Sequence, residues 1–151
     1  MTSSKERIII YTDGGSRGNP GSAALGVVII GPGRRTLAEY GERIGNTTNN
    51  VAEYSAIVSG LQKAKALLGK KKIKEIIVEV RMDSQLAARQ LNGEYRIEDE
   101  KLFSLFMKIW NLKIDFGEIS FVHIPREENT RADSLVNMTL DDQRGQRQLL
   151  S

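Results

Sequence analysis

The sequence has no cysteine, one histidine, one tryptophan and three prolines in 151 residues, and no apolar run long enough to cross a bilayer. Without cysteine there can be no disulfide, thiol nucleophile or thiolate metal site, and the composition suits a reducing compartment, so a cytoplasmic location is expected. The single histidine, His123, argues further against a zinc centre. The opening segment Met1-Thr2-Ser3-Ser4-Lys5-Glu6-Arg7 lacks the apolar stretch of a secretory signal. A strong excess of one charge is also missing: 22 basic residues stand against 19 acidic ones. Net charge therefore does not announce a nucleic-acid binder, although its distribution is uneven. Between Lys63 and Arg81 lie Lys63, Lys65, Lys70, Lys71, Lys72, Lys74 and Arg81 against Glu75 and Glu79. That patch could meet phosphates, or it could be the solvated end of a helix whose dipole favours lysine.

What is present is an ordinary globular composition, 40% apolar and 27% charged, at a length that suits one domain with its own core. Residues 1–142 are expected to form that domain. The polar segment 143–151 shows no periodicity and is expected to be a flexible tail.

The strongest local signal is Ile8-Ile9-Ile10-Tyr11-Thr12-Asp13-Gly14-Gly15-Ser16-Arg17-Gly18-Asn19-Pro20-Gly21. Its β-branched and aromatic start has no polar alternation, which predicts a mid-sheet strand covered on both faces and ending at Asp13. The glycines then predict a sharp turn. No Gly-Lys-Ser/Thr follows, and the glycine spacing is not G-x-G-x-x-G, so phosphate-loop and dinucleotide readings fail.

A hairpin is expected from Ala23–Ile30 and Arg35–Ile44 around Gly31-Pro32-Gly33. Polar Asn46–Asn50 precedes Tyr54, Ile57, Val58, Leu61, Ala64, Leu67 and Leu68, the spacing of an amphipathic helix with Gly69 as its stop. Lys74–Met82 predicts a strand running into Asp83, then a short helix closed by Gly93. A helix follows over about Ile97–Leu112, then a strand over Glu118–His123, and after Pro125 a last helix from about Asn129. This order predicts a mixed α/β sheet whose helices cross over between parallel strands.

Asp13, Glu53, Asp83 and Asp133 all fall at predicted element ends. Three have a local alternative: an Asp-Gly turn for Asp13, a capping box of Asn50 with Glu53, and an N-cap at Asp83 or Ser84. If the four converge, their mutual repulsion calls for a cation, and an all-oxygen set suits Mg²⁺ or Mn²⁺.

The string Thr12–Gly21 resembles the first signature of the type 1 ribonuclease H family. Thr47-Thr48-Asn49-Asn50-Val51-Ala52-Glu53 resembles the second, Asp83-Ser84-Gln85 the third, and Glu128-Asn129-Thr130-Arg131-Ala132-Asp133-Ser134-Leu135-Val136-Asn137 the fourth. They occur in family order and cover about Ile8 to Leu140. The resemblance implies a ribonuclease H-like fold, a five-stranded mixed sheet flanked by helices. It also implies hydrolysis of the RNA strand of RNA–DNA hybrids with two Mg²⁺ ions, Mn²⁺ being a possible substitute.

By motif position, Asp13, Glu53, Asp83 and Asp133 would hold the metal. His123 would assist turnover, with Arg126 as its rival. Gly14, Asn19, Thr48, Asn49, Gln85 and Arg126 would contact the hybrid. The segment Asn92–Glu100 is short and acidic where some relatives carry a basic protrusion, and Lys70-Lys71-Lys72 could compensate. No membrane or obligate protein partner is implied, and a monomer is expected. The alternatives are a hybrid-binding module without turnover and a related nuclease that also cuts double-stranded RNA.

Overall fold

The computed structural model describes residues 5–142, and the tail expected at 143–151 lies outside them. Five strands, β1 (Arg7–Gly18), β2 (Gly21–Ile30), β3 (Thr36–Thr47), β4 (Ile77–Met82) and β5 (Glu118–His123), form one sheet. Its order is β3-β2-β1-β4-β5. The first three strands are antiparallel neighbours, whereas β4 pairs in parallel with both β1 and β5. The helices are α1 (Asn49–Glu75), α2 (Gln85–Leu91), α3 (Phe103–Asp115) and α4 (Thr130–Asp141). This is the five-stranded mixed sheet flanked by helices that the element order predicts.

Alternation along the strands assigns the layers. Ile8 and Ile10 of β1, Leu25, Val27 and Ile29 of β2, and Val78 and Val80 of β4 are buried in one cluster with Ile57 and Leu61 of α1 and Ile109 of α3. On the opposite face, Ala24 of β2 packs with Val136 and Leu140 of α4. A β-carbon on Gly26 would lie 2.3 Å from the Ala132 carbonyl oxygen, so the missing side chain lets α4 sit down on β2.

Three expectations are corrected. β1 does not end at Asp13: it stays paired with β2 through Gly18, and the turn comes only at Asn19-Pro20. Nor is β1 sealed on both faces, since Ile9, Tyr11 and Asp13 are only half-buried on the side away from α1. The Asn50–Glu53 capping box is absent: Thr48 is the N-cap of α1, its hydroxyl accepting from the Val51 amide at 3.2 Å. Gly69 interrupts α1 as expected, at φ 84°, but a further helical stretch follows before β4.

Candidate active site

β1 pairs with β4 only as far as Thr12↔Met82, where β4 ends and leaves an opening beside the rest of β1. Asp13 lies on β1 at this opening, Asp83 directly after β4, Glu53 in the second turn of α1, and Asp133 in the first turn of α4. All four line one open groove of about 450 Å³. Gly14, Asn19, Asn49 and Arg126 line it too, together with Arg17, Asn50 and Asn137. Thr48, Gln85 and His123 are not among its lining residues. His123 is exposed at the end of β5, its backbone in register with Met82, whereas Arg126 lies in the following loop and acts electrostatically on Glu53.

The carboxylates are mutually unfavourable as they stand. Burial, the charges of Asp83 and Asp133, and hydrogen-bonding contact with Asp133 push the Asp13 carboxyl up to about 8. Glu53 is also raised, chiefly by burial and further by Asp83. The Ser84 hydroxyl and Arg126 oppose that rise.

The scaffold around these groups is hydrogen-bonded to hold them. Asn129, 1% exposed, donates from Nδ2 to the Thr12 carbonyl at 2.9 Å and to Asp83 Oδ2 at 3.3 Å, while its backbone carbonyl accepts from the Asp133 amide at 3.1 Å. One buried residue thereby joins β1 and the end of β4 through its side-chain amide and α4 through its backbone. Asn137 donates to Asp133 Oδ2 at 3.4 Å from the next turn of α4. Across the groove, Asn49 Oδ1 accepts from the Ser16 amide at 2.8 Å, and Asn19 Oδ1 accepts from the Asn49 amide at 3.0 Å. These bonds tie the β1–β2 turn to the start of α1 and occupy both carboxamide oxygens, so each NH₂ remains a donor for a ligand.

Asn129 escapes sequence reasoning because a polar residue at a helix start reads first as a cap, and Asn137 because a polar residue within an amphipathic helix reads as its solvated face. Asn129 in fact makes no side-chain cap bond on α4. The lysine-rich patch stands elsewhere. Leu68, just before the break at Gly69, lies 15 residues and about 22 Å of helix beyond Glu53, and Lys70–Lys72 follow it at the opposite end of the sheet from the groove. There Lys72 pairs with Glu6 at the foot of β1, and Lys65 with Asp115 of α3.

The reverse-transcriptase-like family matches residues 11–139. Ribonuclease HI of Halobacterium salinarum is 42% identical over 136 residues, which cover 90% of this chain and 65% of that protein. The chain belongs to the type 1 ribonuclease H family. LC11 ribonuclease H1, in a crystal structure with an RNA/DNA hybrid, is 49% identical and superposes with a TM-score of 0.81, covering 87% of this chain and 94% of that one. A bifunctional protein of Mycobacterium tuberculosis is 38% identical, and the match spans 36% of it. The chain thus spans between about a third and two-thirds of the length of these curated relatives. Ribonucleases H are metal-dependent as a family, and the all-oxygen donor set here fits a hard divalent cation. Among the described residues, no three Asp, Glu or His groups are gathered as a ready coordination shell. Nor is any helix among them long and apolar enough to cross a membrane.

Proposed function

We propose that this chain is an endoribonuclease that hydrolyses the RNA strand of RNA–DNA hybrids, leaving 5′-phosphate and 3′-hydroxyl ends. The observation that carries this reading is the groove itself, which four carboxylates from separate parts of the chain line beside carboxamide donors. Asp13, Glu53, Asp83 and Asp133 would hold two Mg²⁺ ions, or Mn²⁺ in their place. The metal would supply an activated water and charge stabilisation for the departing 3′-oxygen. A carboxyl raised to about 8 and set against two others is a group that a divalent cation relieves.

The remaining residues position substrate. The Asn19 and Asn49 amide NH₂ groups face acceptors of the kind a hybrid's minor groove offers, 2′-hydroxyls among them. Gly14 brings β1 against the start of α1 and so sets the distance between Asp13 and Glu53. Thr48 caps α1 through its oxygen and retains its hydroxyl hydrogen for a DNA phosphate, while Gln85, exposed at the start of α2, would meet the hybrid outside the groove. Arg126 lines the groove beside Glu53 and is therefore a better assistant in turnover than His123, which does not. Contacts of these types go to backbone and groove shape, so little sequence preference is expected.

The test is cleavage of end-labelled hybrid, single-stranded RNA, double-stranded RNA and double-stranded DNA, each with Mg²⁺, with Mn²⁺ and with chelator. Metal-dependent cutting of the hybrid's RNA strand, lost in Asp13→Asn, is the expected result. Binding without cutting would leave a hybrid-binding module, and equal cutting of double-stranded RNA would widen the substrate class.

A further inference from the structure

Arg17 is a cation of the groove that the catalytic reading leaves unused. Among the described residues lining the groove, the cations are Arg17 and Arg126. Arg126 lies at the Glu53 side, whereas Arg17 reaches the other end, where α4 finishes. Its Nη1 meets Asp141 Oδ1 at 2.6 Å, and its Nη2 donates a long bond of 3.5 Å to the Asn137 carbonyl. Both partners of the ion pair are exposed, Arg17 at 47% and Asp141 at 67% of the side chain. A solvated pair of this kind is weak and exchanges readily. The end of α4 does not depend on it, because Arg43 of β3 donates to the Leu140 carbonyl at 3.2 Å.

A guanidinium accepts a carboxylate or a phosphate in the same planar fork, so one can replace the other without moving the arginine. The groove is otherwise dominated by acid, and a polyanion entering it meets few positive groups. We propose that Arg17 is a phosphate anchor for the bound nucleic acid, masked in the free protein by Asp141, which the incoming backbone displaces. The proposal rests on the ribonuclease H reading for the nature of that polyanion. It makes Asp141 an internal competitor of the substrate. Loss of the arginine weakens binding and loss of the aspartate strengthens it, opposite signs from the two halves of one ion pair.

The experiment is a double-mutant cycle of Arg17→Ala and Asp141→Asn, each checked by thermal melting. Binding of a fluorescent RNA–DNA hybrid is followed by anisotropy in chelator between 50 and 200 mM salt, on the scale over which such contacts weaken. Steady-state cleavage is followed in Mg²⁺. Arg17→Ala should weaken binding about five- to tenfold, reduce the salt slope by about one, and raise KM with kcat little changed. Asp141→Asn should tighten binding about two- to threefold, and that gain should vanish in the Arg17→Ala background. Three results overturn the proposal: an unchanged salt slope in Arg17→Ala, a change of the same sign in both single variants, or an Asp141→Asn gain that persists without Arg17. The last would mark a general charge effect. A wild-type protein that binds and cuts hybrid while the cycle fails removes this inference alone. One that neither binds nor cuts removes the functional reading as well.

Discussion

Gly14→Ala isolates one physical cause of the site's geometry. A β-carbon at Gly14 would lie 2.2 Å from both the carbonyl carbon and the oxygen of Ala52 and 2.5 Å from the Glu53 amide nitrogen, all backbone atoms at the start of α1. Ordinary contact begins near 3.4 Å, so the first turns of α1 must retreat from β1 by roughly 1 Å. No flexible side chain is available to absorb that shift. Overpacking against backbone belongs at the upper end of the usual range, about 3 kcal/mol, which lowers Tm by about 6–12 °C in a domain of this size. The retreat carries Glu53 away from Asp13 and Asp83, and a misplacement of about 1 Å costs on the order of 100-fold in rate. Thermal melting and hybrid cleavage in Mg²⁺ read the two effects separately. Gly15→Ala is the control in the same motif, because its β-carbon would touch only Val136 Cγ1 at 3.6 Å. It should melt within about 2 °C of wild type. If Gly14→Ala also melts within 2 °C and keeps kcat within threefold, close approach is not what seats Glu53, and the reasoning fails.

Further predictions follow from the charges and hydrogen bonds of the groove. Asp13 keeps its proton in the folded protein up to about 8 but loses it near 3.8 when unfolded, so its ionisation costs stability increasingly as pH rises between those values. Asp13→Asn should therefore stabilise the metal-free protein by about 2 kcal/mol at pH 7.5, once relaxation of the neighbouring carboxylates is allowed for, and by almost nothing near pH 3.5. Equal stabilisation at both pH values in urea titrations would contradict this. Arg126→Ala should lower kcat about tenfold and His123→Ala less than twofold in steady-state cleavage, and the reverse order would restore the histidine reading. Asn129→Ala removes the buried side-chain amide that joins Thr12 to Asp83, and should cost about 2–3 kcal/mol in chemical denaturation together with weaker metal binding by calorimetry. Replacing Lys70, Lys71 and Lys72 together by glutamine should leave KM for a short hybrid within twofold, because that cluster stands at the far end of α1.

The amino-acid sequence by itself determined the strand and helix order, since each element carries its own hydrophobic period. It also determined the break at Gly69 and the identity of the four carboxylates, each set within a recognisable motif. Tertiary structure decided what those pieces do to one another. The glycine-rich run after Asp13 reads locally as a turn, yet β2 satisfies its backbone through Gly18, and the glycine at 14 serves a helix that arrives from 38 residues downstream at Ala52. Asn129 reads as a cap, but only the assembled sheet brings the Thr12 carbonyl and Asp83 within reach of its amide. His123 and Arg126 are three residues apart, and their spacing to Asp133 alone cannot separate them. The register of β5 ends one outside the groove, and the loop that follows turns the other in. Local pattern records how a segment folds against an average core, whereas a site is made by contacts between segments, which no single segment encodes.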